Sequence, residues 1–305
     1  MRTIDIGHGA LTVSEIALGC MRISKLESAA LDELITTALN EGITFFDHAD
    51  IYGAGKCEEV FAASIKRLGL KRSDLILQSK CGIRKGCFDF SRDYILSSVD
   101  GILRRLETDY LDILLLHRPD ALVEPEEVAE AFGILQASGK VRAFGVSNQN
   151  PNQIELLQRT LPQKLLFNQL QLSIAFTGII NAGIHVNMKD DASVVHDGGV
   201  LDYCRLKGMT VQAWSPFQFG FFEGVFLDSP KYPELNKVID RIAAERGATN
   251  TAVAVAWIAR HPARIQTILG TTTPQRVRDA ARSQEFALTR PEWYEIYRAA
   301  GNVLP

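Results

Sequence analysis

The sequence predicts a (β/α)8 TIM barrel of the α/β class, with an N-terminal β-hairpin cap. Three observations support this prediction. Short apolar segments alternate eight times with longer amphipathic segments along the 305 residues. The short segments are apolar almost throughout, as parallel strands covered by helices are. No repeat, low-complexity tract or linker rich in Pro or Ser interrupts the chain, so residues 1–305 are expected to form a single domain.

The elements follow in order from the amino terminus. Residues 1–13 read MRTIDIGHGALTV, and their alternating apolar and polar side chains around a Gly-His-Gly turn predict the hairpin. Eight strands are expected at 16–18, 44–46, 75–79, 111–116, 142–146, 164–167, 210–213 and 265–269. Helices are expected at 29–40, 58–68, 94–106, 126–137, 154–159, 235–246 and 251–260. Residues 172–199 and 215–233 follow the sixth and seventh strands and are expected to be long, functional loops.

Composition excludes several classes of protein. The chain has 33 basic and 36 acidic residues, and because the basic residues form no stripe we expect no nucleic-acid partner. Its apolar runs are far shorter than the ~20 residues of a membrane helix, and its start does not resemble a signal peptide. Five scattered cysteines suit reduced thiols in the cytoplasm. A redox or metal pair of Cys81 and Cys87 is the alternative to plain packing.

The polar residues at the predicted strand ends indicate an active site, because sites in such barrels lie at the carboxyl ends of the strands. Asp47, Lys80 and His117 each directly follow a strand, and Ser147 with Asn148 follows another. Each alone could be a helix cap, a surface charge or a satisfied core residue. Their convergence at one end of one barrel is what favours function. The other strand ends carry Gly19, Cys20, Met21, Asn168, Gln169, Trp214, Ser215, Thr271, Thr272 and Thr273.

At these positions the sequence resembles the aldo-keto reductases over nearly its whole length. The most specific segments are FFDHADIYG at 45–53, SKCG at 79–82, LLLHRPD at 114–120, GKVRAFGVSN at 139–148, NQ at 168–169, WSP at 214–216 and LGTTTPQRV at 269–277. The resemblance implies a catalytic tetrad of Asp47, Tyr52, Lys80 and His117. It implies an NADP-dependent reductase of the EC 1.1.1 type, which reduces aldehydes or ketones with Tyr52 as proton donor.

The resemblance also implies a nicotinamide cofactor site. Ser147, Asn148 and Gln169 correspond to residues that bind the carboxamide, and Trp214 to the aromatic residue that stacks on the ring. Ser215, Thr271, Thr272 and Arg276 resemble contacts to the phosphates, and a guanidinium suits a ribose 2′-phosphate. NADPH is therefore expected, with NADH as an alternative because Gly270 and Ala280 depart from the usual pattern. The remaining expected cofactor contacts are Gly19, Cys20, Met21, Asp47, Pro216 and Gly270.

The residue types fit this chemistry. A free phenol has a pKa of about 10, and an adjacent ammonium such as that of Lys80 is expected to lower it. Asp47 would provide the counter-charge that a buried lysine needs. His117 could hold the substrate oxygen or join a proton relay. The expected partner is a small carbonyl compound, and the protein is expected to be a monomer or a small homo-oligomer.

Two other functions compete with reduction. A metal-dependent hydrolase on the same barrel could use Asp47, His48, Asp50 and His117 as ligands. Lys80 opposes that reading, since it would place a cation beside a cation, and we expect no metal. A regulatory module that binds the nicotinamide with little turnover is the second alternative. A Rossmann dinucleotide site is excluded, because Glu58 stands where the third glycine of its fingerprint would follow Gly53 and Gly55.

Overall fold

A computed structural model describes residues 1–7, 9 and 11–305. The strands, in chain order, are β1 (Thr3–Ile6), β2 (Leu11–Ser14), β3 (Ile16–Gly19), β4 (Phe45–Asp47), β5 (Ile76–Cys81), β6 (Ile83–Arg84), β7 (Cys87–Phe88), β8 (Leu111–Leu116), β9 (Val141–Ser147), β10 (Leu165–Gln171), β11 (Thr210–Trp214), β12 (Gln218–Phe219), β13 (Gly224–Val225) and β14 (Gln266–Leu269). The parallel strands close a barrel in the order β10-β11-β14-β3-β4-β5-β8-β9. The predicted eight-stranded barrel is confirmed.

The amino-terminal hairpin closes one end of the barrel. Strands β1 and β2 pair antiparallel from Thr3 opposite Ser14 to Ile6 opposite Leu11. The apolar side chains Ile4, Ile6 and Val13 pack against barrel residues that include Phe45 and Phe167. The hairpin prediction is confirmed, although His8 of its predicted turn lies outside the described residues. The amino end of the barrel is therefore covered, which leaves the carboxyl end for a site.

Helices surround the barrel. They are α1 (Ser28–Asn40), α2 (Lys56–Arg67), α3 (Arg92–Leu106), α4 (Pro125–Ala137), α5 (Pro151–Gln158), α6 (Gly178–Ile184), α7 (Val200–Lys207), α8 (Pro233–Glu245), α9 (Asn250–Ala259), α10 (Pro274–Ala281) and α11 (Arg290–Ala299). All seven predicted helices are present, with ends shifted by a few residues. Within the described part of the chain, no helix is long and apolar enough to cross a membrane.

The two long segments after β10 and β11 contain regular structure that the sequence prediction missed. Residues 172–199 include α6, and residues 215–233 include the small antiparallel pair β12 and β13. A third two-residue pair, β6 and β7, follows β5. Gly178 and Gly183 weaken the helical signal of α6, and strands of two residues are too short for a period of two to be visible. Both segments are thus less irregular than expected.

Candidate active site

A cleft of about 650 Å³ opens at the carboxyl ends of the barrel strands. Its wall runs from Gly19 at the end of β3, past Asp47 and His117, to Arg276 on α10. This volume is within the range of sites for cofactors and small molecules. Because the hairpin covers the amino end of the barrel, this cleft is at the open carboxyl end. Most of the predicted site residues lie around it.

Lys80 and Asp47 form a buried ion pair beside this cleft. The Lys80 side chain is 0% exposed and that of Asp47 is 4% exposed. Lys80 Nζ lies 2.8 Å from both carboxylate oxygens of Asp47 and 2.8 Å from the backbone oxygen of His48. Burial alone lowers the pKa of Lys80, but Asp47 and Tyr52 reverse this effect, so the pKa is raised. Lys80 is therefore a cation at neutral pH.

Tyr52 reaches the same ammonium group. Its hydroxyl oxygen lies 3.2 Å from Lys80 Nζ. The chain turns directly after Tyr52, where Gly53 and Gly55 have φ values of 58° and 89°. A Cβ atom on Gly55 would lie 2.7 Å from the Arg105 side chain, and one on Gly53 would lie 2.9 Å from Ser24 Oγ. The Gly-Ala-Gly segment is thus a tight turn that orients Tyr52 and starts α2.

Burial raises the pKa of the Tyr52 phenol above its ordinary value, while the Lys80 ammonium acts in the opposite direction. The expectation of a lowered pKa is not met, because desolvation of the phenolate outweighs the nearby cation. The phenol keeps its proton at neutral pH, as a proton donor must.

His117 stands across from Tyr52. The two rings meet edge to face with their centroids 6.0 Å apart. Burial, together with the charges of Lys80 and Arg118, lowers the pKa of His117 well below its usual value. Its Nδ1 is buried with no hydrogen-bond partner among the described residues. The imidazole is therefore neutral at physiological pH and is suited to a hydrogen bond with a neutral ligand.

Buried amides surround the other side of Asp47. Gln169 Nε2 donates to Asp47 Oδ1 at 3.2 Å and to Gln212 Oε1 at 3.0 Å. Gln78 Nε2 also donates to the Asp47 carboxylate. These bonds fix the carboxylate that in turn holds Lys80.

The polar trio predicted for the nicotinamide lies on neighbouring strands. Asn148 Nδ2 donates to Ser147 Oγ at 2.7 Å, and Ser147 Oγ donates to the backbone oxygen of Gln169 at 3.0 Å. Trp214 Nε1 donates to Asn148 Oδ1 at 3.2 Å. Asn148 and Ser215 have φ values of 57° and 52°. Left-handed backbone at non-glycine residues is costly and concentrates at functional sites.

The far end of the cleft carries the residues predicted to bind phosphate. Thr271 and Arg276 line the cavity, and Arg276 lies in the first turn of α10. Arg22 Nη1 donates to the backbone oxygen of Gly270 at 3.1 Å, so a second guanidinium lies at this end. A helix N-terminus beside two cations favours an anion.

Most of the predicted cofactor contacts line the cleft, and two of them, Cys20 and Thr272, do not. The lining residues are Gly19, Met21, Asp47, Ser147, Asn148, Gln169, Trp214, Ser215, Pro216, Gly270, Thr271 and Arg276. Cys20 is fully buried, and Thr272 is half-buried outside the cleft wall. Ala280 is fully buried in the core, so its side chain meets no ligand there. The Cys20 thiol points back into the barrel, where Sγ donates to the backbone oxygen of Leu18 at 3.6 Å, so Cys20 does not line the cleft.

Several lining residues were missed from the sequence. They include Arg22, Ile51, Ile83, Arg118, Phe217, Phe221, Phe222, Val225, Leu227, Asp228, Asn250 and Thr251. Most lie on the segment after β11 or at helix ends, where no strand marks the position. Arg118 had a signal, since it directly follows His117 in LLLHRPD.

The geometry does not favour the metal-site alternative. Asp47 is occupied by Lys80, and His48 is fully buried with its ring 4.6 Å from that of Phe61. Burial lowers the pKa of His48 to about 3. The described residues contain no group of three or more His, Cys, Asp or Glu side chains arranged to hold a metal ion. Cys81 and Cys87, the other candidate pair, are free thiols.

Comparisons with known proteins agree with this geometry. The chain is 36% identical over 303 residues to the oxidoreductase YcsN of Bacillus subtilis and 34% identical to a 6-dehydroglucose reductase of Agrobacterium fabrum, with 95% of each chain covered in both cases. An aldo-keto reductase of Klebsiella pneumoniae, solved in complex with NADPH, superposes with a TM-score of 0.79 at 25% identity over 100% of this chain and 96% of its own. The family model described as "Aldo/keto reductase family" matches residues 15–300. The chain belongs to the aldo/keto reductase family.

Proposed function

We propose that this protein reduces aldehydes or ketones to alcohols with NADPH and that Tyr52 donates the proton. The observation that carries the proposal is the contact of Lys80 Nζ with both Asp47 and the Tyr52 hydroxyl at the cleft. The NADPH complex of the Klebsiella pneumoniae relative supports the cofactor. The Agrobacterium fabrum relative supports a carbonyl substrate.

The donor set of the cleft fits a nicotinamide dinucleotide phosphate. Ser147, Asn148 and Gln169 offer the hydroxyl and amide groups that a carboxamide requires, and the Trp214 indole offers a flat apolar face. At the far end, Thr271 and Arg276 would hold phosphate groups. A cofactor with a carboxamide at one end and a phosphate at the other would span this cleft.

When bound, the cofactor supplies a hydride to the carbonyl carbon. Tyr52 donates its proton to the carbonyl oxygen, and its raised pKa keeps that proton in place until the oxygen becomes basic. Lys80 stabilises the phenolate that results, and Asp47 balances the charge of Lys80. The neutral His117 imidazole holds the substrate oxygen by a hydrogen bond.

The decisive experiment is Tyr52→Phe. We expect carbonyl reduction to be abolished while NADPH binding stays near normal, because the change removes the proton donor and leaves the cofactor contacts. NADPH fluorescence would follow both binding and turnover against a panel of aldehydes, ketones, dicarbonyls and sugars. Circular dichroism of the variant provides the control for folding. A variant that turns over as fast as the parent would show that Tyr52 is not the donor.

The same panel of carbonyl compounds distinguishes a reductase from the second candidate function, a regulatory module that binds the nicotinamide. A parent protein that binds NADPH and reduces no carbonyl would favour a regulatory module over an enzyme. We further propose that the chain acts as one domain, in the cytoplasm, as a monomer or small homo-oligomer and without a nucleic-acid partner. The five free cysteines are consistent with a reducing compartment.

A further inference from the structure

Arg118 is a cation in the cleft wall that no part of the described chain neutralises. It lines the cleft directly after His117 and is half-buried. Among residues 1–7, 9 and 11–305, its guanidinium has no hydrogen bond and no acidic partner within salt-bridge distance. Other enclosed arginines differ: Arg105 lies 2.7 Å from a Glu58 carboxylate oxygen, and Arg72 lies 2.8 Å from one of Asp112.

Two aromatic rings surround the Arg118 guanidinium. Its Cζ lies 5.7 Å from the ring centroid of Trp214 and 5.9 Å from that of Phe221. Such contacts stabilise the cation and use none of its five N–H donors. Burial lowers the pKa of Arg118, yet a guanidinium stays charged in proteins. A partly desolvated cation with free donors is therefore available to an anion that enters the cleft.

The position of Arg118 separates it from the predicted phosphate site. Arg118 follows β8 and Arg276 follows β14, and these strands lie opposite each other in the eight-strand barrel order. Arg118 lies instead beside the proposed chemistry, where its charge is close enough to help lower the pKa of His117. An anion bound at Arg118 would belong to the substrate.

Resting on the proposed reductase function, we propose that Arg118 binds a carboxylate of the substrate, so that the preferred substrates are aldehydes or ketones that carry a carboxylate. The planar guanidinium fork matches the two oxygens of a carboxylate. Phe221, Phe222 and Val225 give the neighbouring wall an apolar surface for the body of such a substrate. Two acidic residues line the cleft: Asp47 is paired with Lys80, and Asp228 forms no salt bridge with Arg118 in the described part of the chain.

The test compares two substrates that differ by one charge, 4-carboxybenzaldehyde and methyl 4-formylbenzoate. In Arg118→Met we expect kcat/KM for the acid to fall about 10- to 150-fold, mostly through KM, because hydrogen bonds to a charged group contribute this much. The value for the neutral ester should fall much less, so the ratio of acid to ester is the quantity that the test measures. Arg118→Lys should recover part of the activity toward the acid, since an ammonium keeps the charge and loses the fork.

Arg159→Met is the matched control, because that side chain is 70% exposed on the outside of the barrel near α5. It should leave both substrates unaffected. An unchanged ratio of acid to ester in Arg118→Met would overturn the proposal. If both substrates lose activity equally, Arg118 is a structural residue, and if neither loses activity, Arg118 does not contact the substrate. Reduction of the ester by the parent tests the proposed function separately. If the parent reduces neither compound nor any other carbonyl, the reductase assignment itself fails.

Discussion

Asp50 carries a buried and only partly compensated carboxyl group next to the proposed tetrad. Its backbone N–H donates to the Lys80 carbonyl at 3.0 Å, but its Oδ1 is buried without a hydrogen-bond partner among the described residues. Burial and the nearby Glu58 carboxylate raise the pKa of Asp50 to about 7. The Arg105 cation that could relieve this effect is paired with Glu58 at 2.7 Å. At this single residue, the ionised form destabilises the fold.

This shift predicts how stability depends on pH. Between the ordinary aspartate pKa and about 7, folded Asp50 binds a proton that the unfolded chain has lost, so its contribution to stability falls as pH rises through this range. Asp50→Asn removes the ionisation. We expect this variant to be more stable than the parent at pH 8, by on the order of 1–3 kcal/mol, and to differ little near pH 4. Urea unfolding midpoints at both pH values would measure this difference.

The control for Asp50→Asn is Asp93→Asn, because the Asp93 side chain is 87% exposed. It should change stability by less than about 0.5 kcal/mol at either pH. If Asp50→Asn were no more stable than the parent at pH 8, the ionised Asp50 carboxylate would not destabilise the folded protein. The raised pKa of Asp50 would then be wrong.

At the scale of one element, α10 carries the proposed discrimination between cofactors. Arg276 lies in its first turn, where the helix dipole favours a phosphate. The Arg276 side chain adds a charge-assisted contact that only the 2′-phosphate of NADPH could accept. We propose that the positive end of the helix dipole suits either cofactor and that the Arg276 side chain distinguishes them.

Arg276→Ala should therefore weaken NADPH by about 10- to 150-fold and leave NADH nearly unchanged, since hydrogen bonds to charged groups contribute ~1.5–3 kcal/mol. Titration of intrinsic fluorescence with each cofactor would give both dissociation constants. Arg282→Ala is a suitable control, because that arginine bonds to the Gly247 backbone oxygen outside the cleft wall. Equal losses for NADPH and NADH would identify Arg276 as structural.

The elements also explain what the sequence could and could not predict. Asp47, Lys80 and His117 were predictable as neighbours because each lies at the carboxyl end of a parallel strand, and these ends meet at one end of a barrel. Phe221 and Phe222 were not, because they lie between the two-residue strands β12 and β13, whose position depends on tertiary contacts. The direction of the Tyr52 pKa shift was missed for a related reason. The resemblance places Lys80 beside Tyr52, so its effect on the phenol pKa could be foreseen. The burial of Tyr52, which has the larger effect, is a property of the folded chain.

At the scale of the whole molecule, a chain of buried glutamines crosses the barrel from the hairpin to the site. Gln266 Nε2 donates to the backbone oxygen of Ser14 at 2.7 Å, and Gln212 Nε2 donates to Gln266 Oε1 at 2.8 Å. Gln212 also pairs with Gln78 through two bonds of 3.0 Å, and Gln78 donates to Asp47. The barrel interior thus contains a layer of hydrogen-bonded amides beside its apolar residues, whereas branched aliphatic residues dominate the interior of most such barrels.

Gln212 is the central member of this network, and Gln212→Met tests its contribution at nearly constant side-chain volume. The change leaves Oε1 of both Gln78 and Gln266 buried without the N–H that satisfies them. An unsatisfied buried acceptor costs about 1–3 kcal/mol, so we expect the variant to lose roughly 2–5 kcal/mol of unfolding free energy. Urea unfolding followed by circular dichroism would measure the loss. Gln136→Met, at an exposed position of α4, is the matched control and should lose less than about 0.5 kcal/mol. Equal unfolding midpoints for Gln212→Met and the parent would mean that the amides only fill space, and that Asp47 is held by Lys80 without help from across the barrel.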